Sequence, residues 1–181
     1  MSRPQPPGPV KLLVGLLFSD FGVQQEILSA LSNRFGPMDF LSEPVRFDYT
    51  TYYDKEIGPG INRQWGSFFH LVAPDMLAEY KLWTNQLEIG FSRNDRRQAN
   101  IDPGILSEER FVLATGKNFT HRIYLRDGIY ADLTLIYQKG AFQALPWTFP
   151  DYRDPRLLHY LAVLRQKLIF QRDKRLPRKP S

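Results

Sequence analysis

Two runs of alternating residues, Phe119 to Leu125 and Ile129 to Gln138, flank Arg126-Asp127-Gly128, and no other feature restricts the fold so much. Period-two alternation marks strands with two unlike faces. A three-residue hairpin loop needs a left-handed residue in last place, and glycine stands there. That loop sets Leu125 opposite Ile129, Ile123 opposite Ala131, His121 opposite Leu133 and Phe119 opposite Leu135. This face is nearly all apolar, and His121 on it reads as a buried, satisfied histidine. The other face pairs Tyr124 with Tyr130, Arg122 with Asp132 and Thr120 with Thr134. A two-residue loop would set Ile123 against Asp132 and mix the faces, since a slip of one residue turns every side chain over.

The segments before the hairpin alternate between strand and helix patterns. Val10 to Phe18 is apolar apart from Lys11 and Gly15 and reads as a buried first strand rather than a signal peptide, since no small-x-small cleavage site follows. Asp20 is placed to cap a helix whose Val23, Ile27, Leu31 and Phe35 share one stripe, and Gly36-Pro37 ends it. Asp39 to Asp48 is extended, Trp65 to Val72 is a further strand, and Pro74 opens a helix with Met76, Tyr80, Trp83, Leu87 and Phe91 on one side. After Ala99 to Leu106 come the meander strands, Glu109 to Thr115 and the hairpin pair. A last helix spans Asp154 to about Lys174 with Leu157, Leu161, Leu164 and Leu168 facing the core. The expected class is α+β: a ferredoxin-like strand-helix-strand-strand-helix-strand unit, extended by an antiparallel β meander and a C-terminal helix.

A chain of 181 residues suits one domain and needs no covalent staple. The boundaries expected are a disordered Pro-rich lead over residues 1–9, one domain over 10–173 and a disordered basic tail over 174–181. Cysteine is absent, which removes disulfides, thiolate metal sites and cysteine nucleophiles and fits a reducing, cytoplasmic setting. No run reaches the length of a membrane helix, so no membrane partner is expected. The net charge is +5, but seven basic residues and one acid lie between Arg165 and Ser181. The positive charge therefore belongs to the tail, and nucleic acid would be met only there.

Several chemistries are excluded by spacing. Gly116-Lys117 has Phe111 where a phosphate loop needs its first glycine, and Gly58-Pro59-Gly60-Ile61-Asn62-Arg63 lacks the third glycine of a dinucleotide fingerprint. His70, His121 and His159 fit no metal-ligand pattern, and no G-x-S-x-G elbow occurs. Neither a metal nor a cofactor is expected.

The candidate site gathers on loops and one sheet face. The segment Phe47 to Glu56 is rich in tyrosine and acid, so Asp48, Tyr52 and Tyr53 are placed to line a polar pocket. Asn100-Ile101-Asp102-Pro103-Gly104 reads as a type II turn, which explains Pro103 and Gly104 but gives Asn100 and Asp102 no task. Arg122, held by Asp132, keeps donors to spare, and Lys117 lies close in sequence. The connector Pro146 to Asp154 reads as an aromatic link with Asp151 or Asp154 as helix cap and Arg153 as its one notable charge. The expected ligand is small and polar or anionic. The alternative is a non-catalytic module that meets a protein or RNA partner.

Lys11 to Asp20, Phe35-Gly36-Pro37-Met38-Asp39-Phe40, Asn100 to Leu106, the His121-Arg122-Ile123-Tyr124-Leu125 segment and Pro146-Trp147-Thr148-Phe149-Pro150-Asp151-Tyr152 together resemble domain-of-unknown-function family 4416. Its bacterial members often carry the label "GTP-binding protein". The resemblance implies a bacterial cytosolic protein and supplies no activity or catalytic residue. GTP is not an expected ligand, because both the phosphate loop and the N-K-x-D element that reads guanine are missing.

Overall fold

The computed structural model describes residues 3–50, 53–94 and 96–175. Its strands form one antiparallel sheet flanked by helices. In chain order the elements are β1 (Val10–Phe18), α1 (Phe21–Phe35), β2 (Met38–Leu41), β3 (Val45–Arg46), α2 (Asp54–Ile57), β4 (Asn62–Val72), α3 (Leu77–Gly90), β5 (Ala99–Leu106), β6 (Arg110–Thr115), β7 (Arg122–Arg126), β8 (Ile129–Gln138), β9 (Ala141–Ala144) and α4 (Pro155–Asp173). The sheet order is β2-β4-β1-β5-β6-β8-β7, with β3 also on β4 and β9 on β8.

Local chemistry fixes the helix ends. Asp20 Oδ1 accepts from the N–H groups of Gly22 at 2.6 Å and Val23 at 3.1 Å, satisfying donors that α1 leaves open. Asp154 does the same for α4 through Arg156 N at 2.8 Å, with Pro155 at the first helical position.

Alternation along β1 divides the core. Leu12, Val14, Leu16 and Phe18 face α1 and α3 and meet Ile27, Leu31 and Tyr80. Leu13 lies on the other side with Trp65, Leu106 and Phe111 under α4, whose Leu157, Leu161 and Leu164 cover them. Lys11 shares this second face, fully buried. Its Nζ is held by Asp39 at 2.7 Å, the Phe68 carbonyl at 2.9 Å and Gln171 Oε1 at 3.0 Å.

The sheet forks between β5 and β6. They pair only through Gly104, Ile105 and Leu106 against Leu113, Val112 and Phe111, while the first half of β5 pairs with β1 alone. The open edge is satisfied from α3. Glu88 Oε1 accepts the Ile101 N–H at 2.8 Å, and Lys81 Nζ donates to the Ile101 carbonyl at 2.8 Å. Two side chains thus replace a neighbouring strand, as buried backbone groups require. Pro103 falls on this edge, two residues along from Ile101, where no N–H is needed.

Four expectations are corrected. Asn100 to Gly104 is not a turn but lies inside β5. Pro-Gly there serves the fork: Pro103 needs no ladder partner, and a Cβ on Gly104 would stand 2.6 Å from Phe111 Cζ. The hairpin holds Arg122 opposite Asp132, Ile123 opposite Ala131 and Tyr124 opposite Tyr130 as read from the sequence, but Arg126 pairs with Ile129. Its loop is therefore the two residues Asp127 and Gly128, both left-handed with φ of 51° and 76°, the geometry that Asp-Gly favours. A bulge between Tyr124 and Arg126 absorbs the odd residue and restores the register. The two faces do not separate into buried and exposed. Ile129 and Leu135 of the apolar face are buried, but so are Asp132 and Thr134 of the polar face, whereas Ile123 is 71% exposed; Asp132 turns inward onto a cavity at the end of the sheet. β7 begins only at Arg122, so Phe119 to His121 do not extend the ladder. β9 was not foreseen.

At the C-terminus, Lys174 closes α4 in a left-handed conformation with φ of 57°, and Arg175 pairs with Asp173 and reaches Glu108 at 3.5 Å. The rest of the basic tail, residues 176–181, lies outside the described residues. No helix among the described residues is long and apolar enough to cross a membrane.

Candidate functional site

The fork opens into a cavity of about 740 Å³, within the range of small-molecule sites. One wall is the α4-side face of the sheet, and another is the start of the link between β6 and β7. Phe47, Tyr49, Thr50 and Tyr53 and the turn from Phe149 to Tyr152 close it, and Lys81 and Asn85 reach it from α3. Its lining carries five basic side chains, Arg63, Lys81, Arg97, Lys117 and Arg122, against three acids, Asp102, Asp132 and Asp151.

The deep end is built on a missing side chain. Gly15, at the middle of β1, stands opposite Trp65 of β4 and Asp102 of β5. A Cβ there would lie 2.8 Å from Tyr152 Oη and 2.9 Å from Arg63 Nη2. The bare backbone lets Arg63 lie across the sheet, only 1% exposed. Its Nη2 meets Asp151 Oδ2 at 3.0 Å and its Nη1 meets Asp102 Oδ2 at 3.5 Å. Its guanidinium carbon lies 4.9 Å from the Tyr152 ring centre and 5.7 Å from that of Trp65, cation–π contacts in a desolvated setting. Arg63 Nε and Nη1 and the Tyr152 hydroxyl are buried without a hydrogen-bond partner.

A chain of alternating charges leads outward. Lys81 Nζ lies 3.5 Å from Asp102 Oδ1 and 3.8 Å from Glu88 Oε1. Arg97 Nη1 donates to Glu88 Oε2 at 2.9 Å, and Arg97 also pairs with Glu56. Asn100 Nδ2 donates to Asp102 Oδ2 at 2.8 Å.

The two carboxylates beside Arg63 are pushed in opposite directions. Burial works against ionisation of Asp102, yet Lys81 and Arg63 hold its carboxyl below the ordinary value. Burial raises Asp151 above it despite Arg63. Burial, with Asp102 beside it, lifts Tyr53 to about 12, and burial raises Tyr152 well above its ordinary value. Both tyrosines are neutral hydrogen-bonding groups at ordinary pH. Two carboxyls shifted in opposite directions and two neutral hydroxyls thus share one cavity.

On the opposite wall Arg122 Nε donates to Asp132 Oδ2 at 2.8 Å and its Nη1 to the Lys117 carbonyl at 2.9 Å. Asp132 also takes Thr134 Oγ1 on Oδ1 at 3.2 Å and lies 3.1 Å from His121 Nε2. His121 stacks on Trp147, with ring centres 4.8 Å apart. The side chain of His121 is thus buried and partnered, but through the acid of the polar face rather than on an apolar one.

Five of the seven residues named from the sequence line this cavity: Tyr53, Asn100, Asp102, Lys117 and Arg122. Asp48 does not; its side chain is 74% exposed and pairs with Arg46 at 3.2 Å. Tyr52 lies outside the described residues. Arg63, Lys81, Arg97, Asp151 and Tyr152 were missed. The available signal was Gly15, a lone glycine in an apolar strand, which marks close approach of another group. Arg153 donates to the carbonyls of Thr148, Leu145 and Pro146 and ties the connector to itself. Among the described residues no group of three or more histidines and acids is placed to hold a metal ion.

The chain belongs to the family described as Domain of unknown function (DUF4416), whose model matches residues 8–168. No curated protein and no solved structure matches it.

Proposed function

We propose that this domain binds a small polar, anionic ligand in the cavity at the sheet fork. The observation that carries the reading is the convergence of Tyr53, Asn100, Asp102, Lys117 and Arg122, from three separate stretches of chain, on one concave space. The sheet is read as a ferredoxin-like unit with a meander added at one edge. The β5-β1-β4-β2 order and the packing of α1 and α3 on one face support that reading. The setting is read as the bacterial cytosol, in keeping with the cysteine-free composition. GTP stands outside this function, because the chain has no phosphate loop.

The interaction-module reading draws on a different observation. The edge hairpin presents Phe119, Ile123 and Tyr124, each more than half exposed, and exposed apolar patches mark contact surfaces.

A thermal-shift screen with inorganic phosphate, nucleotides, sugar phosphates and carboxylic acids separates the two. A ligand at 100 times its Kd adds about 2.7 kcal/mol of stability. The cavity reading expects a shift that Arg122→Gln weakens. Shifts that Arg122→Gln and Asp102→Asn leave untouched would refute it.

A further inference from the structure

Resting on the cavity as a ligand site, we propose that its ligand is a polyhydroxylated oxyanion, a sugar or polyol bearing one phosphate or carboxylate, with hydroxyls at the Arg63 end and the oxyanion at the Arg122 end. The two ends differ in the geometry of the donors they offer. At the deep end Arg63 and Lys81 are matched by Asp102 and Asp151 within 3.0 to 3.5 Å, so no second anion is drawn there. What this end offers is a mixture: carboxylate acceptors next to buried donors, Arg63 Nε and the Tyr152 hydroxyl, that make no hydrogen bond, and Arg63 Nη1, held only by the 3.5 Å ion pair with Asp102. A buried donor left without a partner is costly. A hydroxyl meets both needs at once, giving its proton to Asp102 or Asp151 and its lone pairs to Arg63 or Tyr152. A second anionic group would repel the carboxylates, and a purely apolar group would leave the donors unmet.

The outer end is different. Arg97 is taken by Glu56 and Glu88, and Asp132 pairs with Arg122. Arg122 is fixed through Nε by Asp132 and through Nη1 by the Lys117 carbonyl. A guanidinium immobilised on two sides presents its remaining N–H groups at little entropic cost, which suits a pair of oxygens of a phosphate or carboxylate. Between the ends, Phe47, Tyr53 and Phe149 supply aromatic wall, against which the C–H faces of a sugar ring can lie. A volume of about 740 Å³ admits a pentose or hexose monophosphate.

The test is calorimetric titration of the full chain with six probes. Ribose 5-phosphate, glucose 6-phosphate and gluconate carry both features. Ribose carries hydroxyls alone; phenyl phosphate and inorganic phosphate carry the oxyanion alone. The proposal expects at least one of the first three to bind ten-fold or more tightly than every one of the last three. The sugar phosphates against gluconate tell phosphate from carboxylate. Asp102→Asn should shrink the advantage over phenyl phosphate, and Arg122→Gln the advantage over ribose, with circular dichroism confirming that each variant is folded. If phenyl phosphate or inorganic phosphate binds as tightly as the sugar phosphates, and Arg122→Gln weakens it, the hydroxyl end is refuted while the cavity remains an anion site. If none of the six binds at millimolar concentration, the inference and the reading beneath it both fall.

Discussion

Arg63 Nη1 and Asp102 Oδ2 stand 3.5 Å apart on strands that flank β1, and they meet over Gly15, the residue of β1 that has no side chain. The pairing depends on that gap. Gly15→Ala would bring a methyl group within 3.0 Å of both Arg63 and Tyr152. Overpacking of this kind costs about 1–3 kcal/mol. Urea denaturation should show that loss, and ligand binding should weaken with it. An unchanged midpoint would mean that Arg63 has room to move and that the deep end is not fixed.

The fork makes a separate prediction. Glu88 accepts the Ile101 N–H and pairs with Arg97, so Glu88→Ala leaves a buried donor without an acceptor and Arg97 with Glu56 alone, at a cost of about 1–3 kcal/mol. Glu88→Gln keeps an acceptor for Ile101 and should cost less. Amide exchange offers the direct reading: protection of Ile101 should fall in the alanine variant and persist in the glutamine one. Equal exchange in both would show that α3 does not serve as a substitute strand.

The cap of α4 gives a pH signature. Arg156, and less strongly Tyr49, hydrogen-bond the Asp154 carboxylate and bring it from 3.8 to about 2 despite its burial. A carboxyl lowered on folding stabilises the native state above its unfolded value, and the benefit fades as pH falls through the folded one. Loss of such a cap costs about 1 kcal/mol. The stability gap between the native chain and Asp154→Ala should therefore be steady above about pH 4, a threshold set by ordinary aspartate, and close as pH approaches 2. A gap of constant size down to pH 2 would contradict the assignment.

Patterns that repeat along the chain were legible before the structure. The stripe of α1, the Asp20 cap and the pairing of Arg122 with Asp132 all follow from local periodicity and turn chemistry. The hairpin loop misled because Asp-Gly prefers a two-residue turn, and the bulge at Leu125 hid the difference by restoring the register. Hydrophobicity alone places Ile129 and Leu135 inside but not Asp132 and Thr134. Asp132 turns inward onto a polar cavity, and Thr134 hydrogen-bonds it there. Arg63 was illegible for a related reason. Its burial depends on Gly15 and Asp151, each far away in sequence, and no local pattern joins them. Asn100 and Asp102 reached the cavity although they were read on a turn, because they alternate on a strand whose open edge helps to form it.

The most direct test of the account is to locate bound ligand by amide correlation spectra of the labelled chain titrated with ribose 5-phosphate. The expected result is saturable shifts concentrated at Asn100 to Asp102, Thr115 to Lys117 and Arg122, with Asp151 and Tyr152 following and Arg122→Gln abolishing the saturation. Spectra unchanged at millimolar ligand, or shifts confined to the exposed residues Ile123 and Tyr124 at the sheet edge, would contradict the claim that the fork is the binding site.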